Sequence, residues 1–215
     1  MNARRLVPIL VAVTIARSAA AQDSLAIKGA DRETMMQIAQ VVATTTERGL
    51  PIDPVIGDAQ FAALMRAPGP RIVTAARDAA ARLGQARDAL APTPTPGDIV
   101  AGADALKYVS RETLRRIRQA RPDRPVAVHI GLLIQLVSTK VSVERAEKTV
   151  LELIKRNAKN EILADLGNAV NQDIKRGRAP DDALSQSLNA LLGPNAAGTA
   201  AADLTNTATP PKKKP

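Results

Sequence analysis

Apolar residues recur along this chain at the three- and four-residue intervals of an α-helix. The longest such stripe lies within residues 72–90 and consists of Ile72, Ala76, Ala79, Leu83, Ala86 and Leu90. Because residues three and four apart share one side of a helix, this stripe predicts an amphipathic helix that buries these side chains. The charged residues lie off the stripe, and Asp78 is predicted to pair with Arg82 one turn later.

A short element occurs four times: an apolar or small residue, then Pro or Ser, any residue, and Asp or Glu. The copies are Leu50-Pro51-Ile52-Asp53, Val109-Ser110-Arg111-Glu112, Val141-Ser142-Val143-Glu144 and Ala179-Pro180-Asp181-Asp182. Pro and Ser suit the first positions of a helix, where backbone N–H groups lack intrahelical partners. An acidic residue there meets the positive end of the helix dipole. Each copy therefore predicts the start of a helix.

Together these patterns predict an all-α fold, an array of short helical hairpins that form an irregular helical repeat or a bundle-like domain. We expect helices over residues 31–48, 50–65, 72–90, 98–106, 110–121, 125–139, 142–156, 160–176 and 180–192. The Pro-Gly-Pro sequence at 68–70 predicts a turn, and the Pro/Thr-rich residues 92–97 predict an internal loop before a helix capped by Asp98. Gly102 and Gly131 are expected to allow close approach of neighbouring helices.

The composition agrees with closely packed helices. The chain has one Phe, one Tyr and no Trp, so its core consists of Ala, Leu, Ile and Val. It has no Cys, which excludes disulfides, thiolate metal sites and cysteine nucleophiles. Neither a metal site nor a cofactor is expected, because no Ca²⁺-loop spacing or phosphate-binding Gly loop occurs.

The two ends of the chain differ from its middle. Residues 1–21 have the pattern of a Sec signal peptide: Arg4 and Arg5, an apolar stretch at 6–16, and small residues ending at Ala21. The apolar stretch is too short for a transmembrane segment. A single helical domain is predicted at 22–192, and the basic tail at 193–215 is predicted to be disordered. We expect a bacterial protein that is periplasmic or secreted.

The sequence resembles a group of uncharacterised secreted all-helical bacterial proteins with recurring Gly-Leu/Val-Pro-x-Asp/Glu helix starts. The similarity rests on Gly49-Leu50-Pro51-Ile52-Asp53-Pro54, the alanine-rich arginine helix after it, and Gly177-Arg178-Ala179-Pro180, and it covers residues 27–192. The resemblance implies a helical fold and carries no activity.

Positive charge is concentrated in one segment. The net charge of +9 includes three arginines in the predicted leader and three lysines in the tail, so most of the chain is only mildly basic. Residues 107–124, called here the arginine segment, contain six candidate binding residues: Arg111, Arg115, Arg116, Arg118, Arg121 and Arg124. Arg111, Arg115 and Arg118 are predicted to share one helix face, with Leu114 and Ile117 facing inward. Guanidinium groups suit phosphates and carboxylates. An ordinary solvated face is the alternative.

Candidate catalytic groups are sparse. His129, the only imidazole, lies in a strongly apolar stretch and is predicted to be buried. Glu33 follows a helix cap and is a conceivable acid for a cell-wall hydrolase, although glycosidases usually need a second carboxylate. Nucleic-acid binding is disfavoured because stacking aromatics are missing. We therefore expect a non-catalytic module that binds an anionic lipid, a wall polymer or an acidic protein. An envelope hydrolase using Glu33 or His129 and an inert structural protein are the alternatives.

Overall fold

The computed structural model describes residues 27–192, of which 74% are helical and none form a strand. The all-α prediction is thereby confirmed. The predicted leader at 1–21 and the predicted tail at 193–215 lie outside the described residues. The helices described are α1 (Arg32–Glu47), α2 (Asp53–Leu64), α3 (Gly69–Ala89), α4 (Pro96–Ala105), α5 (Arg111–Ala120), α6 (Ala127–Ser138), α7 (Val143–Lys155), α8 (Asn160–Lys175) and α9 (Pro180–Leu192).

Three pairs of alternate helices, α1 and α3, α4 and α6, and α7 and α9, begin next to each other. Thr34 at the start of α1 lies against Gly69 at the start of α3. Likewise, the backbone N–H of Ser142, before α7, donates to the carboxylate of Asp181 at the start of α9, at 3.1 Å. The starts of α4 and α6 are joined in the same way through Asp98. Helices α1, α3, α5 and α7 pack in succession as one layer and α4, α6 and α8 as another, as in stacked hairpins, while α9 packs chiefly on α8.

The buried apolar side chains form two groups. One group comes from residues 27–103 and includes Ile38, Val55 and Leu83, which are fully or almost fully buried. The other comes from residues 89–184 and is centred on α5 to α8. Leu106, at the end of α4, packs against both. Every residue of the predicted stripe on α3 is buried, so that prediction is confirmed.

A recurring cap closes five of the described helices. Each is followed by a residue with positive φ, namely Gly49, Arg66, Lys140, Asn157 and Gly177. The next backbone N–H then donates to a carbonyl five residues earlier, as Val141 does to Leu136 at 3.1 Å. This is the Schellman arrangement, which satisfies carbonyl groups that the helix leaves unpaired. Two copies of the repeated element, those at Leu50 and Val141, directly follow such a cap, and all four copies precede a helix as predicted.

Two predicted helix starts need correction, those of α3 and α4. Residues 68–70 do not form a separate turn, because Gly69 and Pro70 open α3, where Pro fits the first turn. The 92–97 loop is shorter than predicted, because α4 begins at Pro96. Thr95 caps this helix, and Asp98 is the third helical residue rather than the cap, since the two residues form a reciprocal capping box.

Two side-chain predictions are also wrong. Arg82 does not pair with Asp78 but reaches across to Asp58 of α2, with 2.5 Å between the charged atoms. Gly131 faces open space, with nothing within 4 Å of an added Cβ. Gly102 behaves as predicted: a Cβ there would lie 2.9 Å from Leu90 on α3, so the glycine permits close packing of α3 and α4.

Candidate functional site

The arginine segment is built around α5, in which apolar and charged residues occupy different sides. Leu114 and Ile117 are fully buried, as predicted. Ser110 caps the helix by accepting a hydrogen bond from the backbone N–H of Thr113 at 3.3 Å. Arg111 and Arg115, four residues apart, are exposed on the outer side.

Arg118 is not part of this exposed side, contrary to the prediction. It is buried, and its Nη2 lies 3.0 Å from Oδ2 of the fully buried Asp98. The reason is tertiary: α4 and the turn into α6 cover the last turn of α5. Arg118 is therefore a structural residue of this segment and is not available to a partner in solution.

Asp98 accepts hydrogen bonds from two helix starts as well as from Arg118. Its Oδ1 accepts from the backbone N–H groups of Val126 and Ala127, both at 2.7 Å, and its Oδ2 accepts from that of Thr95 at 3.1 Å. Burial alone disfavours the charged carboxylate, but these bonds outweigh it and lower the pKa of Asp98. One ionised side chain thus satisfies the starts of both α4 and α6.

The other terminal nitrogen of the Arg118 guanidinium, Nη1, holds the turn between α5 and α6. Nη1 donates to the carbonyl oxygens of Arg121, Pro122 and Arg124, at 3.5, 3.2 and 3.1 Å. These three bonds fix the backbone of residues 121–124 from the inside. The side chain of Arg124 extends from this fixed turn into solvent.

Arg116 forms an ion pair between α5 and α7. Its Nε and Nη2 both donate to the carboxylate of Glu147, the second at 2.9 Å, and Thr113 donates to the same carboxylate at 3.0 Å. The hydrogen bonds from Arg116 are the main reason why the pKa of Glu147 is lowered. The side chain of Arg116 is partly exposed to solvent, but its positive charge is already balanced by Glu147.

The six predicted arginines therefore separate into different environments. Arg115 pairs with Glu112 on its own helix at 3.2 Å. Arg121 is half-buried, with its Nη1 3.3 Å from Nε2 of His129. Arg111 and Arg124 are exposed, and neither forms an ion pair within residues 27–192. They are the two guanidinium groups of the segment best placed for an external anion.

His129 lies at the start of α6 and is 1% exposed, so the prediction of burial is confirmed. Because arginine only donates, Nε2 of His129 accepts from Arg121 and the imidazole proton belongs on Nδ1, which has no partner among the described residues. Burial, reinforced by the positive charge of Arg121, lowers the pKa of His129 to about 4. A neutral, enclosed imidazole of this kind is out of reach of a substrate in solution.

Glu33 lines a surface cleft of about 310 Å³ between the first turns of α1 and α3. Its carboxylate accepts a hydrogen bond from the Gln37 side chain at 3.3 Å. Asp31 also borders the cleft, but it caps α1 by accepting from the backbone N–H of Thr34, and this bond lowers its pKa. Arg77 completes the polar lining. The cleft gives Glu33 access to solvent.

Two residues central to this region are not identified by sequence reasoning. The sequence assigns Asp98 only to a local cap, although the Thr95–Asp98 pattern of a capping box places its carboxylate at a helix end. No local pattern singles out Glu147. Its 13% side-chain exposure in an otherwise charged helix reflects contact with α5, which α7 alone does not predict.

In comparisons with known proteins, no family model, curated protein or solved structure matches this chain. Within residues 27–192, no cluster of three His, Asp or Glu side chains is arranged to hold a metal ion. Across the same residues, every helix is too short or too polar to traverse a bilayer.

Proposed function

We propose that this chain is a non-catalytic binding module for an anionic component of the bacterial envelope or an acidic protein partner. The proposal is supported chiefly by the turn that Arg118 fixes from the inside. Arg124 is presented on a backbone held in place before any partner binds, with Arg121 beside it. Such preorganisation lowers the entropic cost of binding, and guanidinium groups recognise phosphate and carboxylate groups well.

The available surface consists mainly of Arg111 at the start of α5 and Arg124 beyond its end. Arg115, which is paired with Glu112, and the half-buried Arg121 contribute less. The helix between Arg111 and Arg124 is about 15 Å long, by the usual rise per residue. A partner that reaches both ends must therefore carry several anionic groups. Arg116 and Arg118 support this surface through Glu147 and Asp98 and are not its binding residues.

The test is capture of envelope components by the protein lacking residues 1–21. An R111A/R124A variant is compared with wild type across a range of salt concentrations. We expect wild type to retain anionic material in a salt-dependent manner and the variant to lose most of it. A K159A/K175A variant, which removes the same charge from exposed positions at the two ends of α8, serves as the control and should bind like wild type.

Equal retention by all three proteins contradicts the role of the arginine segment. The identity of the retained material distinguishes its source: lipid, wall polymer or protein. A variant that also replaces Arg118, such as R115A/R116A/R118A, is unsuitable for this test. Loss of Arg118 leaves Asp98 buried without its ion-pair partner, so weaker binding would reflect a damaged fold rather than a missing contact to the ligand.

Export belongs to the same proposal. Residues 1–21 have the sequence pattern of a Sec signal peptide, which implies a periplasmic or secreted protein cleaved near Ala21. Expression of the full chain in a bacterial host, followed by fractionation and N-terminal sequencing, should give Gln22 as the first residue of the periplasmic or secreted form. Recovery of the intact leader in the cytoplasm contradicts export.

The hydrolase alternative now depends on Glu33, because His129 is enclosed. Release of fragments from purified cell wall by wild type, and not by E33Q, is the result that would replace the binding proposal. Absence of both capture and hydrolysis would favour the third alternative, an inert structural protein.

A further inference from the structure

Three large apolar side chains are exposed at the end of α2. Phe61, Leu64 and Met65 are 64%, 78% and 67% exposed, and we call them the apolar corner. Leu64 and Met65 follow Phe61 by three and four residues, so all three lie on one side of the helix. The opposite side of α2 carries Val55 and Ala59, which are fully buried. The corner therefore faces away from the core.

This placement is unusual for the composition of the chain. Phe61 is the only Phe in the sequence, and large aromatic side chains gain most from burial. The fold instead fills its core with aliphatic residues and leaves this side chain in solvent. Single exposed apolar residues are common on protein surfaces, but a contiguous group marks an interaction site more often.

The corner is held in a fixed shape. The backbone N–H of Arg66 donates to Ala63 at 2.9 Å and that of Ala67 to Ala62 at 3.0 Å, which together form a Schellman cap. Pro68 follows, and α3 begins at the next residue. The three side chains are thus presented on a capped helix end rather than on a flexible loop.

Cationic side chains lie near the corner in the structure or along the chain. Arg66 and Arg71 are exposed in the α2–α3 connection and the first turn of α3, which follow the corner directly. Lys28 and Arg66 border a surface hollow of about 560 Å³ whose apolar wall includes Ile27 and Leu64. None of these three cations forms an ion pair within the described part of the chain.

We propose that the apolar corner inserts into the interfacial layer of a bilayer that contains anionic lipids. Apolar side chains enter the boundary between headgroups and acyl chains, while the nearby cations bind the headgroups. The positive charge near the corner and the small area of its three side chains favour a lipid surface over a protein partner. A stable interface between two proteins buries about 800 Å² on each partner, which is far more than three side chains offer. This surface is separate from the arginine segment and does not depend on the function proposed for it.

The first test uses the absence of Trp from the chain. In an F61W variant, the introduced indole is the only strong fluorophore. Addition of phosphatidylglycerol-containing vesicles should shift its emission to the blue and protect it from acrylamide. A V128W variant, placed at a half-exposed position on α6, should show neither change. Both variants are made in the protein lacking residues 1–21.

The second test measures co-sedimentation with vesicles. F61S/L64S should reduce partition by roughly tenfold or more, because two large side chains lose their transfer out of water. M65S should have a smaller effect in the same direction, and M36S is its matched control, since Met36 is 61% exposed but lies on α1. R66N/R71Q should lower binding to anionic vesicles and leave the weak binding to pure phosphatidylcholine unchanged.

Several outcomes overturn the proposal: unchanged indole emission from F61W, equal sedimentation of F61S/L64S and wild type, or a concentration-dependent dimer in ultracentrifugation that F61S/L64S abolishes. The last result would make a second copy of the chain the occupant. When R111A/R124A is added to F61W, the indole emission should still shift to the blue with vesicles, because insertion of the corner does not use the arginine segment. Failure of either proposal is thus distinguishable from failure of the other.

Discussion

Replacement of Asp98 by Asn tests the account of the buried ion pair. The D98N substitution keeps the size of the side chain but removes its charge and two of its acceptor positions. If the amide oxygen serves Val126 and Ala127, the amide NH₂ group must face two donors, Nη2 of Arg118 and the N–H of Thr95, which in the wild type lie 3.0 and 3.1 Å from Oδ2. The guanidinium of Arg118 is left buried without a counter-charge.

The expected cost follows from this geometry. Breaking a buried ion pair by removing one partner destabilises proteins by about 3–5 kcal/mol, because the remaining charge stays uncompensated. We expect D98N to lower the free energy of unfolding by that amount. Chemical denaturation followed by circular dichroism measures it as a lower midpoint with a similar slope.

The control is D104N on the same helix. Asp104 is about half-exposed and pairs with Lys107 at 3.0 Å, so its replacement should cost less than about 1 kcal/mol. A double-mutant cycle with R118M should give a coupling free energy of about 0.5–3 kcal/mol. If D98N costs no more than D104N, the reasoning about the buried carboxylate is wrong.

Three further outcomes are expected. The pKa of His129 falls from 6.5 to about 4 on folding, so as the pH is lowered the unfolded chain binds this proton before the folded one does. Stability should therefore decrease as the pH falls from 6.5 to 4, by up to about 3 kcal/mol. In H129Q this part of the pH dependence, measured by denaturation at each pH, should disappear. G102A should destabilise by about 1–3 kcal/mol because its Cβ meets α3, whereas G131A should stabilise by up to about 1 kcal/mol because it only improves helix propensity; thermal melting of the two variants should therefore shift in opposite directions. K140G should raise the melting temperature, with a gain of about 1 kcal/mol, because Lys140 has φ of +72°; an unchanged or lower value contradicts the assigned cap.

The helices could be predicted from the sequence because each is determined by local patterns. The stripe on α3 and the four repeated elements depend on spacings of three to four residues and on the chemistry of a first turn, and both were found where expected. Helix stops were harder to predict when the left-handed position holds a long side chain. Gly49 and Gly177 are recognisable there, whereas Arg66 and Lys140 are not.

The environment of the arginines could not be predicted, because it depends on contacts between distant residues. Arg118 and Arg115 look alike on a helical projection of α5, yet one is buried against Asp98 and the other is exposed. The partners of Arg82 and Arg116 are 24 and 31 residues away. Local spacing predicts which residues share a helix face, but it does not predict which face a neighbouring helix covers.

The position of Asp98 also bears on how the molecule unfolds. The two apolar groups meet at α3 and α4, where Leu106 packs against both, and Asp98 on α4 bonds to the start of α6, which belongs to the second group. Stacked helical modules remain cooperative only while the coupling between neighbours exceeds the differences in their own stabilities. The bonds from Asp98 to both helix starts add to that coupling, so we expect the two halves to melt in one transition.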